Sequence, residues 1–269
     1  MRILSVGHAA FAAMMIVLGT QGLIRGDFAA IWQPVPKGVP AREVLAWLCA
    51  VISLGCGAGL LWRRTATTAA RVLLAALLAW LLAFRLPAAL RAPAEAASWE
   101  SCGETAVLVA GAWVLAVWFS ADRDGQHAGP MDGVRGIRFA RVLYGLALMA
   151  FGLAHFAYLE ETAALVPGWL PAHVAWVILT GSAYLAAGAA VLTGAGARLA
   201  AALAAVQMGL FTLLVWAPRV AKGSASAFQR DETLISLALT AAAWVLADSY
   251  RGLRPLALAP PSGSERPSH

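Results

Sequence analysis

Two histidines and a short run of carboxylates stand out from an otherwise apolar chain. Between Phe151 and Gly181 the sequence reads FGLAHFAYLEETAALVPGWLPAHVAWVILTG, which holds His155, Glu160, Glu161 and His173. Asp231 and Glu232 open a later apolar run. Histidine titrates near neutral pH and exchanges protons with a carboxylate in reach. His155, Glu160 and Glu161 are therefore the candidate catalytic residues. His155, Trp169, His173 and Gln207 are the candidate ligand-binding residues, Gln207 because a polar side chain inside an apolar helix points to a cavity or a partner helix. Each also has a plainer role. A histidine near a helix end hydrogen-bonds at the interface, paired glutamates at a helix exit are solvated, tryptophan anchors in the headgroup layer, and glutamine links helices.

Metals and thiols fit less well. Zinc wants three or four tightly spaced ligands, and no such motif is present. Haem would want paired histidines inside the bundle, where only His155 and His8 come near. Cys49 and Cys56 share one helix face, and Cys102 stands apart on the outer side. Without a Cys-x-x-Cys a dithiol relay lacks its signature. Thiols in apolar helix act as small hydrophobes. A Cys49–Cys102 disulfide stays open.

The elements that must carry these residues are helices. Hydrophobic residues make up 61% of 269 and charged residues 13%, too little polar surface for a soluble globule. Long uncharged stretches approach the ~20 residues that cross a bilayer as a helix, and the period-two alternation of a membrane barrel is absent. The expected fold class is all-α, a polytopic membrane protein with eight transmembrane helices near 4–24, 43–62, 69–87, 104–120, 138–158, 172–193, 197–217 and 232–250. The domains follow: a first four-helix membrane unit over 1–120, a flexible cytoplasmic linker over 121–137, a second four-helix unit over 138–254, and a disordered Pro- and Ser-rich tail over 255–269.

The chain also repeats. AGAWVLA at 110–116 returns as AAAWVLA at 241–247, and one offset maps Pro40 onto Pro171, Gly57 onto Gly188 and Pro87 onto Pro218. An offset larger by two residues maps Gly19 onto Gly152, Asp27 onto Glu160 and Pro34 onto Pro167. A collinear series with one gap indicates a tandem duplication. Four helices per unit give both copies one orientation. Shared positions then read as architecture. His155, Glu161 and His173 occur in the second half alone, which places the candidate site there.

Charge sets the expected orientation. The net charge of +6 is a membrane signature rather than a nucleic-acid one. Arg63, Arg64, Arg71, Arg123, Arg135, Arg138, Arg141, Arg198 and Arg251 fall on the side of the termini, which puts both termini in the cytoplasm. The first span resembles a signal peptide in composition, but it is the counterpart of the fifth span, so cleavage would break one unit. Arg far outnumbers Lys in an Ala-rich chain, which suggests a bacterial inner (plasma) membrane. The loops 26–42 and 160–173, rich in Pro and Trp, are expected to lie on the membrane surface as stiff caps.

At 152–181 the sequence resembles the DoxX/DoxD-like family of bacterial membrane proteins. The Gly-Leu-Ala-His-Phe turn, the Val-Pro-Gly-Trp-Leu-Pro loop and Leu179–Gly181 carry the likeness. It is good over 138–250 and faint over 4–120. The resemblance implies a four-helix unit, with His155, Pro167, Trp169, Pro171 and Gly181 at structural or headgroup-facing positions. It also implies an association with thiosulfate:quinone oxidoreduction or other redox complexes, so a quinone is the cofactor or ligand expected and a redox-complex protein the partner, beside the lipid bilayer itself. Three functions are carried forward: a quinone-associated redox accessory with an outer-leaflet site in the second half, a non-enzymatic scaffold or partner subunit, and a small-solute transporter.

Overall fold

The computed structural model describes residues 4–121 and 133–252. The described residues are helices joined by short turns, without strands. Eight long helices follow in order: α1 (Val6–Arg25), α2 (Arg42–Leu60), α3 (Ala66–Arg91), α4 (Ala96–Ala121), α5 (Gly133–Ala157), α6 (His173–Thr193), α7 (Ala197–Ala221) and α8 (Ala227–Asp248). Seven of them, α1 to α7, are long and apolar enough to cross a membrane. The eighth, α8, carries Arg230, Asp231 and Glu232 in its first turns and ends on Asp248, and these charges set it apart. The linker expected over 121–137 is shorter at its far end, because Gly133–Ile137 already belong to α5. The rest of it and the tail 255–269 lie outside the described residues.

Local chemistry explains the helix ends. Ser5 accepts the His8 N–H at the start of α1, and Gly26 closes that helix in the left-handed conformation that glycine adopts without a Cβ penalty. Ser226 and Gln229 form a reciprocal capping box on α8. Two helices tolerate an internal proline. A π-helical turn at Leu81–Arg85 precedes Pro87 in α3, and another at Thr212–Trp216 precedes Pro218 in α7. The wider turn moves the carbonyl that a proline ring would otherwise strike.

The helices pack in a closed ring, α1 to α8 in chain order with α8 back against α1, while α4 and α8 also touch across the middle. Helix α4 is the axial one. Most of its apolar span is enclosed, 89%, against 33–44% for the other six candidate spans. A helix apolar all round is stable only in such a setting.

Glycines set the closest approaches. A Cβ on Gly19 would lie 2.3 Å from the Leu54 backbone nitrogen, and one on Gly57 would lie 2.7 Å from that of Ile16. Together they let α1 and α2 meet backbone to backbone, the contact that small residues permit in helices within lipid. Gly19→Ala should separate the pair and destabilise the fold by about 1–3 kcal/mol. Thermal unfolding in detergent checks this, with the open-space Gly55→Ala as the control that leaves the midpoint unchanged.

Candidate functional site

At the ends of α4 to α8 that lie away from the linker, the helices enclose a chamber of about 740 Å³, a size typical of ligand cavities (~300–1,000 Å³). Its walls are chiefly apolar, with Phe151 from α5, Trp176 and Tyr184 from α6, Phe211 and Trp216 from α7, and Ile235 and Leu239 from α8. The loop at 165–170 covers the top with Leu165, Pro167 and Trp169. Leu179, Leu203, Leu210 and Leu214 line the chamber and are also exposed on the outer faces of α6 and α7. The chamber therefore opens sideways between these two helices, through the apolar belt.

Four ionisable side chains reach into it. His155 stands near the end of α5, its Nδ1 2.8 Å from the Phe151 carbonyl oxygen and its ring 5.4 Å from that of Tyr184. A carbonyl only accepts, so Nδ1 carries a proton, and in the neutral ring Nε2 keeps its lone pair. His155 can lie against α6 because residue 181 is glycine: a Cβ there would meet the His155 Cβ at 2.9 Å. Glu100 and Glu104, four residues apart on α4, enter from the first half of the chain, and Glu232 enters from α8. Glu104 lies deepest, surrounded by protein, and the surface it keeps lines the chamber. Asp231, beside Glu232, is already neutralised. It pairs with Arg25 of α1 at 2.6 Å and accepts from Gln21 at 2.8 Å. Gln207 donates to the Thr180 carbonyl at 3.1 Å and thereby ties α7 to α6 at the chamber wall. Thr212 and Ser236 join α7 to α8 by a 2.6 Å hydrogen bond.

The comparable space among α1 to α4 is filled. The loop after α1 folds inward, and Phe28 to Trp32 are all buried. Trp32, 1% exposed, meets the Trp80 ring edge-on at 5.1 Å and donates its indole N–H to Ser53 at 3.1 Å. Arg85 anchors this plug from α3 by donating to the carbonyls of Gln33 and Pro34 and to Thr105. Arg42 pairs with Asp27 at 2.7 Å and lies over the Phe28 ring. The expectation of two surface caps is thus corrected for the first loop, whose backbone finds polar partners inside the bundle. The second loop stays outside, with Trp169 72% exposed. Where Ser53 leaves room for an indole in α2, α6 carries the bulky Tyr184.

Of the residues singled out from the sequence, His155, Trp169 and Gln207 line the chamber. Glu160 and Glu161 are exposed on a short helix, Leu159–Ala163, and face away from it. His173 opens α6 outside the lining. The sequence reading missed Glu100 and Glu104. It began the fourth span at 104, whereas the helix starts at Ala96, and two carboxylates four apart at the entry of an apolar helix were the available signal. Cys49, Cys56 and Cys102 are free and buried. Among the described residues no cluster of three His, Cys, Asp or Glu side chains could hold a metal ion.

A family model described as a domain of unknown function (DUF8561) matches residues 144–251, from within α5 to just past α8. No curated protein and no solved structure matches the chain.

Removing the plug should be costly and removing the exposed indole should not. Trp32→Ala leaves a cavity worth about 3–5 kcal/mol, while Trp169→Ala should stay within about 0.5 kcal/mol of the parent. Chemical denaturation of the two variants in one detergent gives the comparison.

Proposed function

We propose that this chain is a membrane protein that takes a lipophilic small molecule from the bilayer into the chamber of its second half. The sideways mouth between α6 and α7 carries the proposal. A ligand entering there never leaves the apolar phase, and the aromatic walls receive a ring or chain by the same burial that holds it in lipid. The chamber is composite, since α4 brings Glu100 and Glu104 to a wall otherwise built from the second half.

The same proposal includes eight spans arranged as a tandem duplication, with α8 as the eighth. Several features support it. The π turns, Pro87 with Pro218, and the left-handed Ala41 and Ala172 recur at one spacing. Every contact between neighbouring helices in α1 to α4 has its counterpart in α5 to α8. The family match also falls within one half. In this arrangement both termini face the cytoplasm of a bacterial inner membrane and the chamber faces outward. Reporter fusions after Ala121 and after Arg251 should both read cytoplasmic; an outward signal from either would refute the orientation.

A quinone-linked redox accessory is the second reading, favoured by His155. Its unprotonated Nε2 and the neighbouring carboxylates suit proton exchange with a quinol. This is also the role that the DoxX-like resemblance implies. A pure scaffold would need no ligand at all.

The decisive measurement is native mass spectrometry of the protein extracted with its surrounding lipid. A bound lipophile should be retained by the parent and weakened or lost in Ala183→Trp, which projects an indole into the chamber. An empty chamber in the parent, with a stoichiometric protein partner instead, would favour the scaffold.

A further inference from the structure

The chamber's lining has a charge pattern that selects among lipophiles. Glu100, Glu104 and Glu232 all face it, and among the described residues no lysine or arginine lines it. Among the described residues none of the three carboxylates forms an ion pair. Two guanidinium groups lie near but are committed elsewhere. Arg85 is within electrostatic reach of Glu104, yet its three hydrogen bonds go to Gln33, Pro34 and Thr105. Arg219 lies over the Trp216 ring and donates to the Val215 and Leu165 carbonyls.

Carboxylates in a low-dielectric site are costly unless something neutralises them. Asp231 shows how the fold does this when it is structural: it supplies Arg25 at 2.6 Å. For Glu232, one residue on, it supplies no cation. In its neutral form His155 adds a further acceptor, Nε2, since its Nδ1 is directed at the Phe151 carbonyl. Phe151, Trp176 and Tyr184 line the same chamber, and aromatic rings attract cations through their quadrupoles.

From these observations the geometry points to a lipophilic cation, an amine or onium group on an apolar body, as the ligand of the chamber, an assignment that rests on the chamber being a lipophile site. The cation sits among Glu100, Glu104 and Glu232, and the body lies along the aromatic wall toward the α6–α7 mouth. A neutral quinone brings no charge to balance the carboxylates. A cation replaces the missing counter-ion, and an amine also gives His155 a donor. The same chemistry is offered by a free organic cation and by a long-chain amine already resident in the membrane.

Equilibrium dialysis of radiolabelled tetraphenylphosphonium tests the charge. The protein is held in phosphatidylcholine nanodiscs, and empty nanodiscs correct for partition into lipid. Saturable binding is expected, weakened about ten-fold or more in the double variant Glu104→Gln, Glu232→Gln. Glu160→Gln with Glu161→Gln, outside the chamber, should bind like the parent. Thermal midpoints of both double variants guard against loss of fold. Displacement by octadecylamine included in the nanodisc would assign a membrane-resident amine, and its failure to compete would assign a free cation. Unchanged cation affinity in the Glu104/Glu232 variant overturns the inference. So does saturable binding of a short-chain quinone without binding of the cation, although the chamber then remains a lipophile site. If neither probe binds, the proposed function falls with it.

Discussion

A buried guanidinium decides the character of the first half. Arg85 is 4% exposed and would be intolerable in that position alone, since an unpaired charge in an apolar interior costs several kcal/mol. It is satisfied by the carbonyls of Gln33 and Pro34, and those carbonyls are satisfied by it. Irregular backbone can enter a membrane bundle only on such terms. Once the loop is drawn in, Trp32 fills the space between α2 and α3. In α7 the position preceding the proline by two holds Trp216 rather than an arginine, and the second loop is held by Arg219 only at the Leu165 carbonyl. It remains outside and leaves a chamber behind.

The remaining architecture keeps the halves close enough for the chamber to be shared. Glycines at helix contacts bring α1 to α2 and α5 to α6 at backbone distance. Gly181 does a second job by making room for His155. Because α4 runs through the middle of the ring, its first turns reach the chamber of the other half. That is why Glu100 and Glu104 stand with Glu232 although they lie far apart in sequence. The Arg25–Asp231 pair closes the ring on the opposite side and draws one carboxylate of α8 away from the chamber, leaving Glu232 to face it.

Much of the candidate site was legible where a residue type conflicts with its surroundings. His155 and Gln207 are polar groups in apolar helices, and both line the chamber. The chamber draws on both halves of the chain, with Glu100 and Glu104 from α4 beside the residues of α5 to α8. Glu160, Glu161 and His173 were legible as polar residues but not as absent from the wall, because direction around a helix or out of a loop is set by contacts made elsewhere. Glu100 was hidden by a helix boundary: the expected span begins at 104, whereas the helix starts at Ala96.

Composition and apolar run length alone determined that the chain is helical and multi-pass in character, since backbone groups in lipid must be satisfied within each segment. Proline in the loops 26–42 and 160–173 was likewise legible as a helix stop, because its effect on the backbone is local. Only the tertiary structure decided that one Trp-bearing loop turns inward and the other outward. That choice depends on Arg85, Ser53 and Trp80 meeting in space. It likewise decided that three carboxylates from two distant helices share one chamber, because a charge finds its neighbours through packing and not through its place in the chain.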